Sequence, residues 1–327
     1  MHIYLIRNWK KLLASNMMIR YRDFSGFLYE KFGQRVHKIA LDAGFTCPNR
    51  DGTISTKGCI FCDKLGSGTG AFSQRGISIP KQISQAKAFI QKRYKAHKFI
   101  AYFQSFTNTY GPVERLKHLY DMALSDSDVV GISVGTRPDC INEDILALLA
   151  SYKQKYMVWL EFGLQSANDE TLRRINRGHD VACFEKAVLL AAQFGLSICA
   201  HVILGLPGEG HDEIMKTARF LSTLPIQGVK IHLLYVVEDS PLAELYRKGH
   251  IHCLERKEYV ELLVDFLELL PPTMVIQRLT GDPPKGSKLL APQWAREKMK
   301  TLNLIKNRLE ERNTWQGKRY RRSSSAA

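Results

Sequence analysis

No stretch of this 327-residue chain approaches the ~18 consecutive apolar residues that a membrane-crossing helix requires, so no membrane partner is expected. The N-terminal MHIYLIRNWKKLLASNMM is apolar in patches, but Arg7, Asn8, Lys10 and Lys11 interrupt it. That breaks the continuous core a secretory signal needs. It reads instead as an upstream extension of a protein that starts near Met17 or Met18. Cysteine is also scarce: seven residues, an odd number, with three of them bunched, which excludes a disulfide framework and fits a reducing cytoplasm. Acidic residues are the third shortage, 32 against 47 Lys and Arg, for a net charge of +15. The deficit lies at the ends. Residues 285–327 carry 12 basic and 3 acidic side chains, residues 1–36 carry 7 and 2, and the middle is nearly balanced. Concentrated Lys and Arg is the footprint of a polyanion binder, though a merely solvated basic surface has the same composition.

The middle of the chain alternates short apolar strands with helical patterns. Strands are expected at 36–40, 99–104, 129–135, 158–163, 197–204 and 228–236. Their lack of polar alternation suits strands covered on both faces. Helices are expected at 80–94, 113–124, 142–151, 169–175, 181–194 and 211–223, with Asn142 and Asp169 as N-caps and Gly195 as a C-terminal glycine. Six βα units in series imply an α/β fold with a parallel sheet and right-handed crossovers, either doubly wound or a partial barrel. Chemistry then belongs in the loops after the strands. Beyond residue 240 the reading is two helices, one further strand at 275–279 and a basic amphipathic helix at 292–313. The expected divisions are a basic N-terminal extension (1–35), the βα domain (36–240), a C-terminal α+β extension (241–317) and a disordered basic tail (318–327).

The first of those loops holds the densest chemistry. Cys47, Cys59 and Cys62 sit in CPNRDGTISTKGCIFC, directly after the first strand. Thiolates are soft ligands that suit iron–sulfur clusters or zinc. A structural zinc normally closes with four ligands, and the next thiol, Cys140, is far away in sequence. A redox Cys-x-x-Cys has no need of Cys47. Three thiols without a fourth therefore suggest a metal centre with one position open for chemistry, zinc and redox sites remaining as alternatives. Cys140, Cys183, Cys199 and Cys253 lie in or beside apolar segments and are assigned to the core.

Here the chain resembles the radical S-adenosylmethionine (SAM) superfamily, in which three cysteines, the last preceded by an aromatic residue (Phe61 here), hold a [4Fe-4S] cluster. Its usual spacing is three residues and then two, whereas this loop has eleven and then two. Further stretches match in order. YFQSFTNT, with Gln104, Ser105 and Asn108, falls where relatives meet the SAM amino group. EFGLQS supplies Glu161, Gln165 and Ser166 as SAM contacts. In RGH, Arg177 corresponds to the residue that approaches the SAM carboxylate. In LGLPG, Gly205 lies on the adenine side, as does His232 in IHLL. Together with RLTGDPP and LLAP, these stretches resemble the YhcC-like family. It is related to the catalytic domain of the Elongator acetyltransferase and to oxygen-independent coproporphyrinogen oxidase.

The resemblance implies a partial (β/α)6 TIM-like barrel and an enzyme whose cofactors are a [4Fe-4S] cluster and SAM. An external donor such as a flavodoxin or ferredoxin reduces the cluster, SAM is cleaved to a 5′-deoxyadenosyl radical, and the radical takes hydrogen from an unreactive C–H bond. Part of the family is linked to tRNA wobble-uridine maturation, from 5-carboxymethylaminomethyl to 5-aminomethyl, which makes tRNA the expected partner. Tyr102, Phe106 and Tyr110 are candidates for stacking on a base, with core or loop packing as their ordinary alternative. A small metabolite or a protein as substrate, and a non-enzymatic zinc or iron–sulfur module, are the competing readings.

Overall fold

A computed structural model describes residues 19–66, 76–283 and 286–321. The N-terminal extension read at Met1–Met18 and the last residues of the basic tail lie outside them. Seven strands form one parallel sheet: β1 (Val36–Leu41), β2 (Lys98–Phe103), β3 (Val129–Thr136), β4 (Met157–Gln165), β5 (Ser197–Leu204), β6 (Gly228–Leu233) and β8 (Val275–Arg278). Neighbours in space are neighbours in sequence, so the sheet winds in a single direction into a half-barrel rather than doubling back. The seventh strand enlarges the expected six-stranded barrel, and it comes from the segment read as an extension. Val36–Leu41 and Val275–Arg278 are the two ends of the sheet.

Period-two alternation gives each strand one outer and one inner row. Outer residues such as Ile39, Phe99, Ile132, Leu160 and Val229 pack beneath the surrounding helices in a continuous core. The inner row is layered. At the bottom, Ile100, Trp159 and Cys199 are closed off by the helix Phe24–Phe32, whose Phe24 and Phe27 rings meet Trp159 edge-on at 6.1 and 6.0 Å. This helix packs against both end strands, and Arg22 O accepts from Ile276 N at 2.8 Å. Part of the expected N-terminal extension is thus the floor of the barrel.

A two-stranded antiparallel ribbon, β7 (Val236–Val237) with β9 (Leu289–Ala291), and the helices Arg256–Leu269 and Lys298–Glu311 complete the C-terminal part. Ile305 and Leu309 of the last helix are fully buried. Its basic charge is partly spent inside the molecule: Arg312 reaches Asp265 at 2.6 Å and Glu268 at 3.1 Å, and Arg308 reaches Glu261 at 2.7 Å. At the start of the segment read as a tail, Arg319 N donates to Glu268 O at 2.9 Å and Lys318 N to Trp315 O at 3.2 Å. Among the described residues, no helix is long and apolar enough to cross a membrane.

Candidate active site

Above the apolar floor the inner row turns polar and then opens at the C-terminal ends of the strands into a cavity of about 800 Å3. Cys47, Cys59 and Cys62 all line it, from the loop after β1. Local hydrogen bonds shape that loop. Cys47 O accepts from Arg50 N at 2.8 Å, Gly58 N donates to Asn49 O at 2.7 Å, and Cys62 N donates to Cys59 O at 3.0 Å. The Arg50 guanidinium folds back onto Asp63 O at 2.7 Å. From across the mouth, the segment after helix Asp169–Arg174 clamps the loop: Asn176 Nδ2 donates to Gly58 O and Asn49 Nδ2 to Asn176 O, both at 2.6 Å. Two donors point at one sulfur, Asn49 Nδ2 at 3.5 Å and Arg177 Nη1 at 3.6 Å from Cys59 Sγ.

Phe61, Gln104, Gln165, Arg177 and His232 face the same cavity. Gln165 ends β4 at a register irregularity with φ +79°, a left-handed conformation that a non-glycine residue adopts only under constraint from its surroundings. Gly163 makes the convergence possible, since a Cβ there would lie 2.7 Å from both Arg177 Nη2 and Gln165 Nε2. The guanidinium of Arg177 is held by Gly163 O, at 2.7 Å from Nη2 and 3.2 Å from Nε. Phe106 lines the mouth with its ring over Gly66 of the cysteine loop.

Four expected contacts lie elsewhere. Ser105 and Asn108 are buried and do not line the cavity; Asn108 Nδ2 ties the end of β2 to Gly135 O at 2.8 Å. Ser166 donates to Glu209 and accepts from Asn168 N at 3.0 Å, so it organises the start of the next helix. That helix is capped by Asn168, one residue before the expected Asp169. Gly205 has φ +87° and leaves room for Leu254, whose Cδ1 would sit 2.9 Å from an added Cβ.

Glu161 lines the cavity but is no free ligand. Fully buried, its Oε1 accepts from Lys38 and Ser133, while Oε2 lies 2.5 Å from Lys230 Nζ and 2.7 Å from His201 Nε2. Lys230 also donates to Tyr102 OH at 3.1 Å. Tyr102 is therefore part of this cluster rather than a stacking surface. Burial pushes the Glu161 carboxyl up, but Lys230, Lys38 and His201 outweigh it and hold it well below the usual carboxylate range. Burial brings Lys230 down to about 8 against the pull of Glu161. Sequence reading missed Lys38, His201 and Lys230. The available signal was a lysine or histidine at an inner position of each otherwise apolar strand, β1, β5 and β6. Glu161, Cys199 and His201 converge as metal ligands might, but two ammonium groups already occupy the carboxylate and repel a cation.

The sequence pattern of the Radical SAM superfamily matches residues 49–221, and that of the Radical_SAM C-terminal domain matches residues 226–311. The chain belongs to the radical SAM superfamily. It is 41% identical over 308 residues to YtqA of Bacillus subtilis, covering 94% of this chain and 95% of YtqA. It is 40% identical over 272 residues to YhcC of Escherichia coli, covering 83% and 86%. In fold it is similar to the archaeal Elp3 of Methanocaldococcus infernus, with a TM-score of 0.62 at 18% identity over 86% of this chain and 64% of that one.

Radical SAM enzymes use a [4Fe-4S] cluster and SAM, and the residues present fit both. Three thiols on one wall, with an arginine and an amide donating toward sulfur, suit a thiolate-held cluster. Beside them, the glycine-floored approach of Gln165 and Arg177 offers donors to a small zwitterion. Cys140, Cys253 and Cys199 fall outside this set. Burial pushes their thiols up, to about 12 for Cys140 and about 11 for Cys253, so they stay protonated at neutral pH.

The radical SAM lumen also sets an acid limit on the fold. Burial, then Lys230, brings His201 down to about 4; burial, then Arg278, holds His232 well below the ordinary histidine value. Below the unfolded histidine pKa, near 6.5, the unfolded chain binds protons that the folded one refuses, so stability falls with pH. Between pH 7 and 5 unfolding in urea is expected to lose roughly 2 kcal/mol in all for each of the two, the slope approaching about 1.4 kcal/mol per pH unit only below pH 6. Replacing both by glutamine should flatten the slope. An unchanged slope would mean that neither is kept neutral.

Proposed function

We propose that this protein is a radical SAM enzyme of tRNA maturation, acting on the 5-carboxymethylaminomethyl group of a wobble uridine to leave 5-aminomethyl. When bound, the reduced cluster and SAM supply hydrogen-atom abstraction from an unreactive C–H bond. The observation that carries the reading is the two-level cavity. The cysteines come from the loop after β1 at its mouth, while Lys38, Lys230 and Gln277, which lie within strands, line a deeper polar chamber of the same cavity. SAM at the rim leaves that chamber for the substituent of a base. A base reaches it only when splayed from its stack, and Phe106 at the mouth offers a face to pack on. Basic side chains not committed to the core, such as Lys300, Lys306 and Arg321, suit the phosphate backbone. The likeness of the sequence to the YhcC-like family supports this substrate, and a flavodoxin or ferredoxin is the electron donor that fits the chemistry.

The test is nucleoside analysis of tRNA from cells lacking the protein, complemented with the wild type or with Cys59→Ser. The 5-carboxymethylaminomethyl nucleoside should accumulate and its 5-aminomethyl product disappear, with rescue by the wild type alone. An unchanged 5-aminomethyl content would overturn the assignment.

A further inference from the structure

The deep chamber contains more positive charge than the carboxylate of Glu161 balances. Lys38 and Lys230 share Glu161, whereas the guanidinium of Arg278, which also lines the chamber, makes no hydrogen bond or ion pair among the described residues. Asp282, on the same wall, is taken by Lys298 at 2.5 Å. Next to Arg278, Gln277 Oε1 accepts from Lys38 Nζ at 2.7 Å, which fixes the orientation of the amide, since the reverse would set two donors face to face. Its Nε2 is then buried with no hydrogen-bond partner among the described residues. The buried Nε2 donor without an acceptor is costly, the half-buried guanidinium beside it has no counter-ion, and one anionic acceptor between them satisfies both. The planar guanidinium fits a carboxylate through two parallel hydrogen bonds.

We propose that Arg278 and Gln277 form a subsite for a carboxylate carried by the substrate, the acid end of an N-substituted glycine. This rests on the reading that the chamber receives the 5-carboxymethylaminomethyl substituent. It adds a reason for discrimination: the 5-aminomethyl product lacks the acid, loses the subsite and is released. β8, a strand supplied from beyond the core six, thereby becomes the specificity wall of the barrel.

The experiment uses the full chain and a minimal probe, sarcosine, which is N-methylglycine. Phenylglyoxal modification of Arg278 is followed by peptide mass spectrometry. Saturating sarcosine should slow it at least roughly tenfold, as expected of one charge-assisted contact, and sarcosine methyl ester should not. Gln277→Leu should raise the half-protecting concentration roughly threefold to tenfold. Gln277→Glu keeps an acceptor for Lys38 and should abolish protection by filling the subsite with its own carboxylate. Equal protection by the ester, or stronger protection by inorganic phosphate, overturns the carboxylate subsite. Protection by sarcosine combined with unchanged tRNA nucleosides leaves the subsite standing and removes only the tRNA assignment. Altered nucleosides without protection do the reverse.

Discussion

Cys59→Ser is expected to bring 5′-deoxyadenosine formation from SAM and dithionite to background, and reconstituted iron to fall well below the wild-type content. Of the three thiols Cys59 is the most enclosed, 7% exposed, and it receives both Asn49 Nδ2 and Arg177 Nη1. Serine matches its size, so the loop keeps its shape while losing a soft ligand. The rest of the loop depends on its own backbone bonds and on the Asn49 and Asn176 clamp, so circular dichroism and the unfolding midpoint should be little changed. Cys140→Ser is the matched control. Cys140 lies off the cavity, its thiol pushed up by burial and by Asp139, and its loss should leave iron binding intact. If Cys59→Ser keeps full iron and full 5′-deoxyadenosine while Cys140→Ser loses them, the cluster is held elsewhere.

The order of elements was legible because each βα unit writes its own punctuation. Val113–Leu124, Ser197–Leu204 and His211–Thr223 fall where their patterns begin and end. Asn142 caps its helix through a side-chain bond to Ile145 N, as an asparagine before an acidic turn should. What a parallel strand does not write is which face is which. Both rows of β4 are apolar in composition and buried, so Glu161 could be read as a ligand at a strand end although it points into the middle of the lumen. Its partners arrive from residues 38, 133, 201 and 230, separations that no local pattern encodes. For Ser166 and Gly205 the motifs did not show the local packing: one hydroxyl organises a helix start and one glycine makes room for Leu254. The basic C-terminus was legible as charge but not as pairing, since Glu261, Asp265 and Glu268 become neighbours of Arg308 and Arg312 only once two helices pack. The seventh strand was legible as a strand, and its membership in the barrel depended on the register that sets Val275 beside Gly228.

The lumen cluster leads to the second large effect, on stability. Glu161→Gln keeps the volume and most hydrogen-bonding positions but removes the counter-charge that Lys38 and Lys230 share. The side chain of Glu161 is fully buried, and those of Lys38 and Lys230 are 16% and 6% exposed, so solvent screens the loss poorly. Breaking a buried pair by removing one partner costs about 3–5 kcal/mol, because the other charge stays behind unpaired. For a chain of this size that is a fall in unfolding temperature on the order of 10 °C. The pH dependence separates this cause from lost packing. Lys230, already brought down to about 8 by burial, should titrate lower still once the carboxylate is gone. A lysine whose folded pKa lies below its unfolded value gains stability as pH rises between the two. The gap between Glu161→Gln and the wild type should therefore narrow from pH 7 to pH 9. Lys230→Met in the Glu161→Gln background should recover part of the loss at pH 7, by removing one of the two lysine charges that Glu161 balances. Unfolding curves of the two single variants and the double variant at both pH values provide the measurement. A single variant as stable as the wild type, or a gap that widens with pH, would mean that Glu161 does not balance the two lysines.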